Sequence, residues 1–96
     1  MKGASMKISE GYVVKKIAGE YLLIPYGQKI IENNQIIKLN DNSGMLLEHI
    51  RATECTIEEL ISYVEANRDK FMLEGNIKEQ IIGFVDNLKQ GGFLEK

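Results

Sequence analysis

Histidine, cysteine and paired carboxylates are the side chains best suited to chemistry, and here each stands without the company that chemistry needs. His49 is the only histidine. With no second histidine and no cysteine at ligand spacing, it lacks the set that a metal centre or an acid-base pair requires. Cys55 is the only cysteine, so neither an internal disulfide nor a thiolate cage can form, and no base is evident to activate it as a nucleophile. Glu58 and Glu59 fall in the first turn of an expected helix, where the backbone dipole already favours carboxylates. Gly19, Gly27 and Gly44 match neither of the glycine patterns that cradle phosphates. These residues point to a non-enzymatic binding protein with no catalytic residue, metal or cofactor of its own.

Composition narrows what it binds. The 96 residues are enough for one core, and 44% hydrophobic with 27% charged residues is ordinary for a folded domain. No apolar run approaches the length of a membrane span, the N-terminus has no secretory h-region, and a single cysteine fits a reducing compartment, so a cytoplasmic location is expected. Net charge is -2, but residues 1–40 hold six lysines against three glutamates, a balance of +3, leaving -5 for residues 41–96. That second part holds the expected helices, and an acidic helical part is a poor match for a phosphate backbone.

The elements that would position a binding site change character near residue 40. Residues 12–17 and 20–24 are rich in Tyr, Val, Ile and Leu around Ala18-Gly19 and predict a β-hairpin. After Pro25 and Gly27, residues 29–32 and 35–38 flank Asn33-Asn34 and predict a second hairpin. If residues 20–32 form one bent strand, the hairpins merge into a three-stranded antiparallel meander. Its first edge carries Lys15 and Lys16, which discourage strand addition; its last offers Ile36, Ile37 and Leu39 with only Lys38 among them. Residues 1–10 carry no pattern and are expected to be a flexible segment ahead of a domain at 11–96.

Three helices are predicted after the junction at residues 40–43. The first covers about residues 43–51, with Leu46, Leu47 and Ile50 inward. The second opens on a Thr56/Glu59 capping box and carries an Ile57, Leu60, Ile61, Val64 stripe. The third begins after Asn76 and ends at Gly91-Gly92. On its helical wheel Ile77, Ile81, Phe84, Val85 and Leu88 form the core stripe, while Lys78, Ile82, Val85 and Lys89 make a half-apolar, half-basic line along its flank. Such a line either lines a shallow peptide groove or is a core margin over which lysines snorkel.

In order and spacing, Gly19-Glu20-Tyr21-Leu22-Leu23-Ile24-Pro25, then Ile37-Lys38-Leu39-Asn40 with Gly44 and Leu46-Leu47, then Thr56-Ile57-Glu58-Glu59-Leu60, and last Phe84, Leu88 and Gly92-Phe93-Leu94, resemble the coenzyme PQQ synthesis protein D (PqqD-like) family. The resemblance implies an α+β, winged-helix-like fold, a three-stranded antiparallel sheet followed by three helices. It implies a peptide chaperone that binds the leader of a ribosomally made precursor and presents it to a modifying enzyme, often a radical S-adenosylmethionine enzyme. The leader would add as a strand to Gln35, Ile36, Ile37, Lys38 and Leu39 and rest against Lys78, Ile82, Val85 and Lys89. Two other classes share parts of the pattern. One is a winged-helix DNA-binding regulator reading with its third helix, which Glu79, Asp86 and the acidic helical part oppose. The other is a structural subunit whose open edge pairs with a second copy in a homodimer.

Overall fold

The computed structural model describes residues 5–32 and 35–95. The chain folds as an antiparallel sheet followed by helices, an α+β arrangement. Strand β1 (Tyr12–Ile17) turns through Ala18 and Gly19 into β2 (Glu20–Pro25). Both turn residues have positive φ, 51° and 82°, as a two-residue turn matched to the twist of its strands demands. A short helix α1 (Gln28–Glu32) leads to β3 (Ile37–Leu39), which pairs antiparallel with β2. The strand order is β1-β2-β3, so β1 and β3 are the two edges.

The expected turn between residues 29–32 and 35–38 is therefore replaced by a helical connection between adjacent antiparallel strands, and residues 29–32 are not strand. The β-branched preference of Ile30 and Ile31 is overridden because pairing with the first strand ends where the Tyr26 N–H donates to the Gly11 carbonyl at 2.8 Å, so an extension of β2 beyond that point would have no partner. Gly27, at φ 59°, turns the chain away, and its carbonyl accepts from the Ile30 N–H at 3.1 Å to start the helical turn. The expected Asn33-Asn34 turn lies outside the described residues.

After β3 come α2 (Asp41–Thr53), α3 (Ile57–Ala66), a four-residue α4 (Arg68–Phe71) not expected from the sequence, and α5 (Ile77–Gln90). Their starts are set by side chains. Asn40 Oδ1 accepts from the Ser43 N–H at 2.8 Å, the Thr56/Glu59 capping box is complete, and Asn76 caps α5 through the Glu79 N–H at 3.1 Å. Leu46, Leu47 and Ile50 of α2, Leu60 and Val64 of α3, Phe71, and Ile77, Ile81 and Val85 of α5 close over Val14 and Leu23 of the sheet in one apolar core. Gly44 is where α2 crosses the sheet: a Cβ there would overlap the Tyr21 ring.

The N-terminal segment also departs from expectation. Met6 is 3% exposed within the core and its N–H donates to the Cys55 carbonyl at 2.9 Å. Ile8 bridges Leu94, and the Ser9 N–H donates to the Phe93 carbonyl at 2.9 Å. Residues 6–10 thus belong to the packed domain, held by the C-terminal tail, a long-range pairing that local pattern does not encode.

Candidate functional site

The geometry of the β3 edge follows from the turn at the other side of the sheet. A two-residue hairpin makes its flanking residues, Ile17 and Glu20, a hydrogen-bonded pair, and such pairs alternate along an antiparallel ladder. Hence Glu20, Leu22 and Ile24 direct their backbone groups to β1, and Tyr21, Leu23 and Pro25 direct theirs away. Pro25, which has no N–H, accordingly stands opposite Tyr12 at a position where β1 asks for none. On the far side Tyr21 faces Leu39 and Leu23 faces Ile37, so Ile37 and Leu39 bond to β2. Lys38 between them turns its N–H and C=O outward, to the open edge. Among the described residues no other segment bonds to that edge.

Side chains alternate in the same register. Ile37 and Leu39 pack against the core, while Ile36 and Lys38 are exposed. The Lys38 ammonium meets Glu20 at 2.8 Å across the sheet, and the hydrogen bond to that carboxylate, with its charge, raises the lysine pKa above its ordinary value. Glu20 is a neighbour that the sequence reading did not single out; the two-residue turn was the signal for it, because it fixes which β2 residues lie beside Lys38. The regular strand is shorter than expected, Ile37–Leu39, with Gln35 and Ile36 preceding it.

The helical half of the expected site divides. Lys78 is exposed and Ile82 and Lys89 are half-buried, but Val85 is 1% exposed and belongs to the core, so it offers no surface to a peptide. The wheel placed Val85 at the border of core and flank, and packing of α5 on α3 moves that border to Ile82. Ile81 and Val85 belong to the same apolar core that Ile37 and Leu39 pack against.

The remaining candidates are structural in their contacts. His49 stacks on Tyr63 with ring centroids 3.7 Å apart and planes 8° from parallel, and partial burial lowers its pKa. Cys55 is buried at the entry to α3. Among the described residues no group of three or more His, Cys, Asp or Glu side chains is placed to hold a metal ion. Among them, too, no helix is long and apolar enough to cross a membrane.

No family model and no curated protein sequence matches the chain, so the PqqD-like family stays a resemblance. Among solved structures the chain is similar to lasso peptide synthetase B1 complexed with the leader peptide, with a TM-score of 0.71 at 14% sequence identity, over 97% of this chain and 100% of that one. At that identity the likeness establishes a shared fold: the sheet and helices described above are arranged as in a chain solved with a leader peptide.

Proposed function

We propose that this protein is a non-catalytic chaperone for a ribosomally made precursor peptide. It binds the leader as an added strand on the outer edge of β3 and presents the remainder to a modifying enzyme. The observation that carries this reading is the outward backbone of Lys38 on a sheet edge to which no other described segment bonds, in a fold shared with a leader-complexed chain. In β-augmentation, main-chain hydrogen bonds give affinity and alternate side chains give specificity. Peptide residues turned inward would meet the margin of the core beside Ile37 and Leu39, and Lys78, Ile82 and Lys89 on α5 are the side chains proposed to receive them. The resemblance seen in the sequence points to a radical S-adenosylmethionine enzyme as recipient.

The test is titration of isotope-labelled protein with the leader segment of a precursor peptide encoded beside its gene, following backbone amides by NMR. Saturable shifts at residues 36–39 and on the Lys78, Ile82, Lys89 flank are expected. A folded protein whose amides stay unmoved by such leaders would overturn the reading. A concentration-dependent dimer whose contact is the β3 edge would replace it with self-association. DNA reading by α5 is disfavoured by the exposed Glu79 and Asp86 on that helix.

A further inference from the structure

The sheet has another surface that neither the core nor the β3 edge uses. Alternation along the strands sends Val14, Leu23, Ile37 and Leu39 toward the helices. It turns the residues between them to the opposite face, where Val13 stands across from Ile24, and Leu22 stands between Lys15 and Lys38. Antiparallel sheets packed on one side usually show polar side chains on the other. Here Ile17 and Ile36 are 50% and 59% exposed, and Val13, Leu22 and Ile24 are half-buried without packing against the core. The helix that crosses the sheet, α2, lies against the inner face at Tyr21. The outer face is an apolar patch of the kind that marks an interaction surface.

Charge decides what fits it. Lys15 has no ion-pair partner among the described residues, whereas Lys38 is held by Glu20. Glu20, on the same face, is already held by Lys38, so a second copy packed symmetrically on Leu22 would set Lys15 against Lys15 or against the Lys38–Glu20 pair and bring two faces of one surplus positive charge together. An anionic membrane shares the charge preference, but a flat face with half-buried side chains offers no protruding helix to enter the acyl boundary. Another protein layer, stacked about 10 Å away, is the fitting shape. We propose that the outer face of this sheet docks a partner protein through a surface that is apolar at its centre and acidic at its rim. This goes beyond the leader-binding reading and stands without it, since its centre, Val13, Lys15, Leu22 and Ile24, lies on the two strands away from the β3 edge, and only Ile36 and Lys38 border both.

The probes are a synthetic amphipathic helical peptide with one leucine face flanked by glutamates, its counterpart with lysines for glutamates, and phosphatidylglycerol vesicles. The acidic peptide is expected to bind at least tenfold more tightly than the basic one, with amide shifts centred on Val13, Lys15, Leu22 and Ile24. Leu22→Glu should abolish that binding and Lys15→Glu should cut the preference at least fivefold; the latter changes an exposed side chain and keeps the test readable if the former unfolds. Equal affinity for the two peptides, or binding of neither, overturns the proposal. So does a preference for vesicles, or a dimer in sedimentation that Leu22→Glu dissolves. Repeating the leader titration on Lys15→Glu keeps the outcomes separate, because failure at the face leaves strand addition at the edge intact.

Discussion

Replacing Lys38 by proline separates the backbone role of this residue from its side chain. Its N–H points to the open edge, so the native ladder, carried by Ile37 and Leu39 against Leu23 and Tyr21, loses no hydrogen bond. The proline ring fixes φ near -65°, inside the broad β region, and the preceding Ile37 is already extended, as a residue before proline prefers. The side chain lost is an exposed lysine paired with an exposed glutamate, a contact that contributes little to stability. Folding should survive. An added leader strand, by contrast, loses one main-chain hydrogen bond and keeps an unpaired acceptor, together about 1.5–3 kcal/mol. That corresponds to roughly 10- to 150-fold weaker binding. Calorimetric titration with the leader peptide gives the affinity, and circular dichroism confirms the fold. Lys38→Ala should stay within about threefold of the native affinity, because it keeps the N–H. Ile37→Pro should instead lower the melting temperature, since its N–H belongs to the native ladder. A folded Lys38→Pro protein that binds leader as tightly as the native chain would refute both the parity argument and strand addition at this edge.

Other expectations concern the frame that holds the edge. Gly44→Ala drives a methyl into the Tyr21 ring and should cost about 1–3 kcal/mol, lowering the melting temperature by roughly 4–8 °C per kcal/mol in a calorimeter. Ala18→Asn places a residue that tolerates positive φ where alanine now sits at 51° and should raise the melting temperature by a few degrees. Thr56→Ala removes the acceptor that holds the Glu59 N–H at 3.2 Å and should cost about 1 kcal/mol in denaturant titration. His49 has a folded-state pKa below its unfolded value because burial disfavours the cation. The unfolded chain therefore takes up the proton first, and the stability it contributes, fully present above the ordinary histidine pKa, is lost as pH falls below it. His49→Gln should flatten the fall in stability between pH 7 and pH 5, and an NMR titration showing an ordinary or raised His49 pKa would contradict the assignment.

Much of the fold was legible because local chemistry and tertiary packing agree. The Thr56/Glu59 box, the Asn76 cap, the Ala18-Gly19 turn and the Ile77, Ile81, Val85 stripe all stand where period and capping chemistry put them. The failures are places where a distant partner decides. Ile30 and Ile31 look like strand, but no strand remains for them to pair with, and they end half or more exposed on α1. Residues 6–10 look patternless, yet they pair with the tail at Phe93 and Leu94. Helix α4 is a single turn between Asn67 and Met72, too short for hydrophobic period to announce.

The candidate site is harder to read because its chief groups are not side chains. Nothing in the identity of Lys38 says that its N–H faces outward. That direction is inherited from the two-residue turn at Ala18-Gly19, passed through β2 and delivered to β3 by register. Changing most β3 side chains would leave the outward donor and acceptor in place, whereas inserting one residue between Pro25 and Ile37 that slipped the register would turn them inward and move Ile37 and Leu39 out of the core. A site made of main-chain groups constrains turn length, register and fold far more than residue type. Under the proposed reading, specificity resides in the few side chains beside the outward backbone, Ile36, Lys38 and its partner Glu20, and in the α5 residues proposed to receive the peptide. Substitutions at those positions should change which leader is bound while leaving the ability to accept a strand intact.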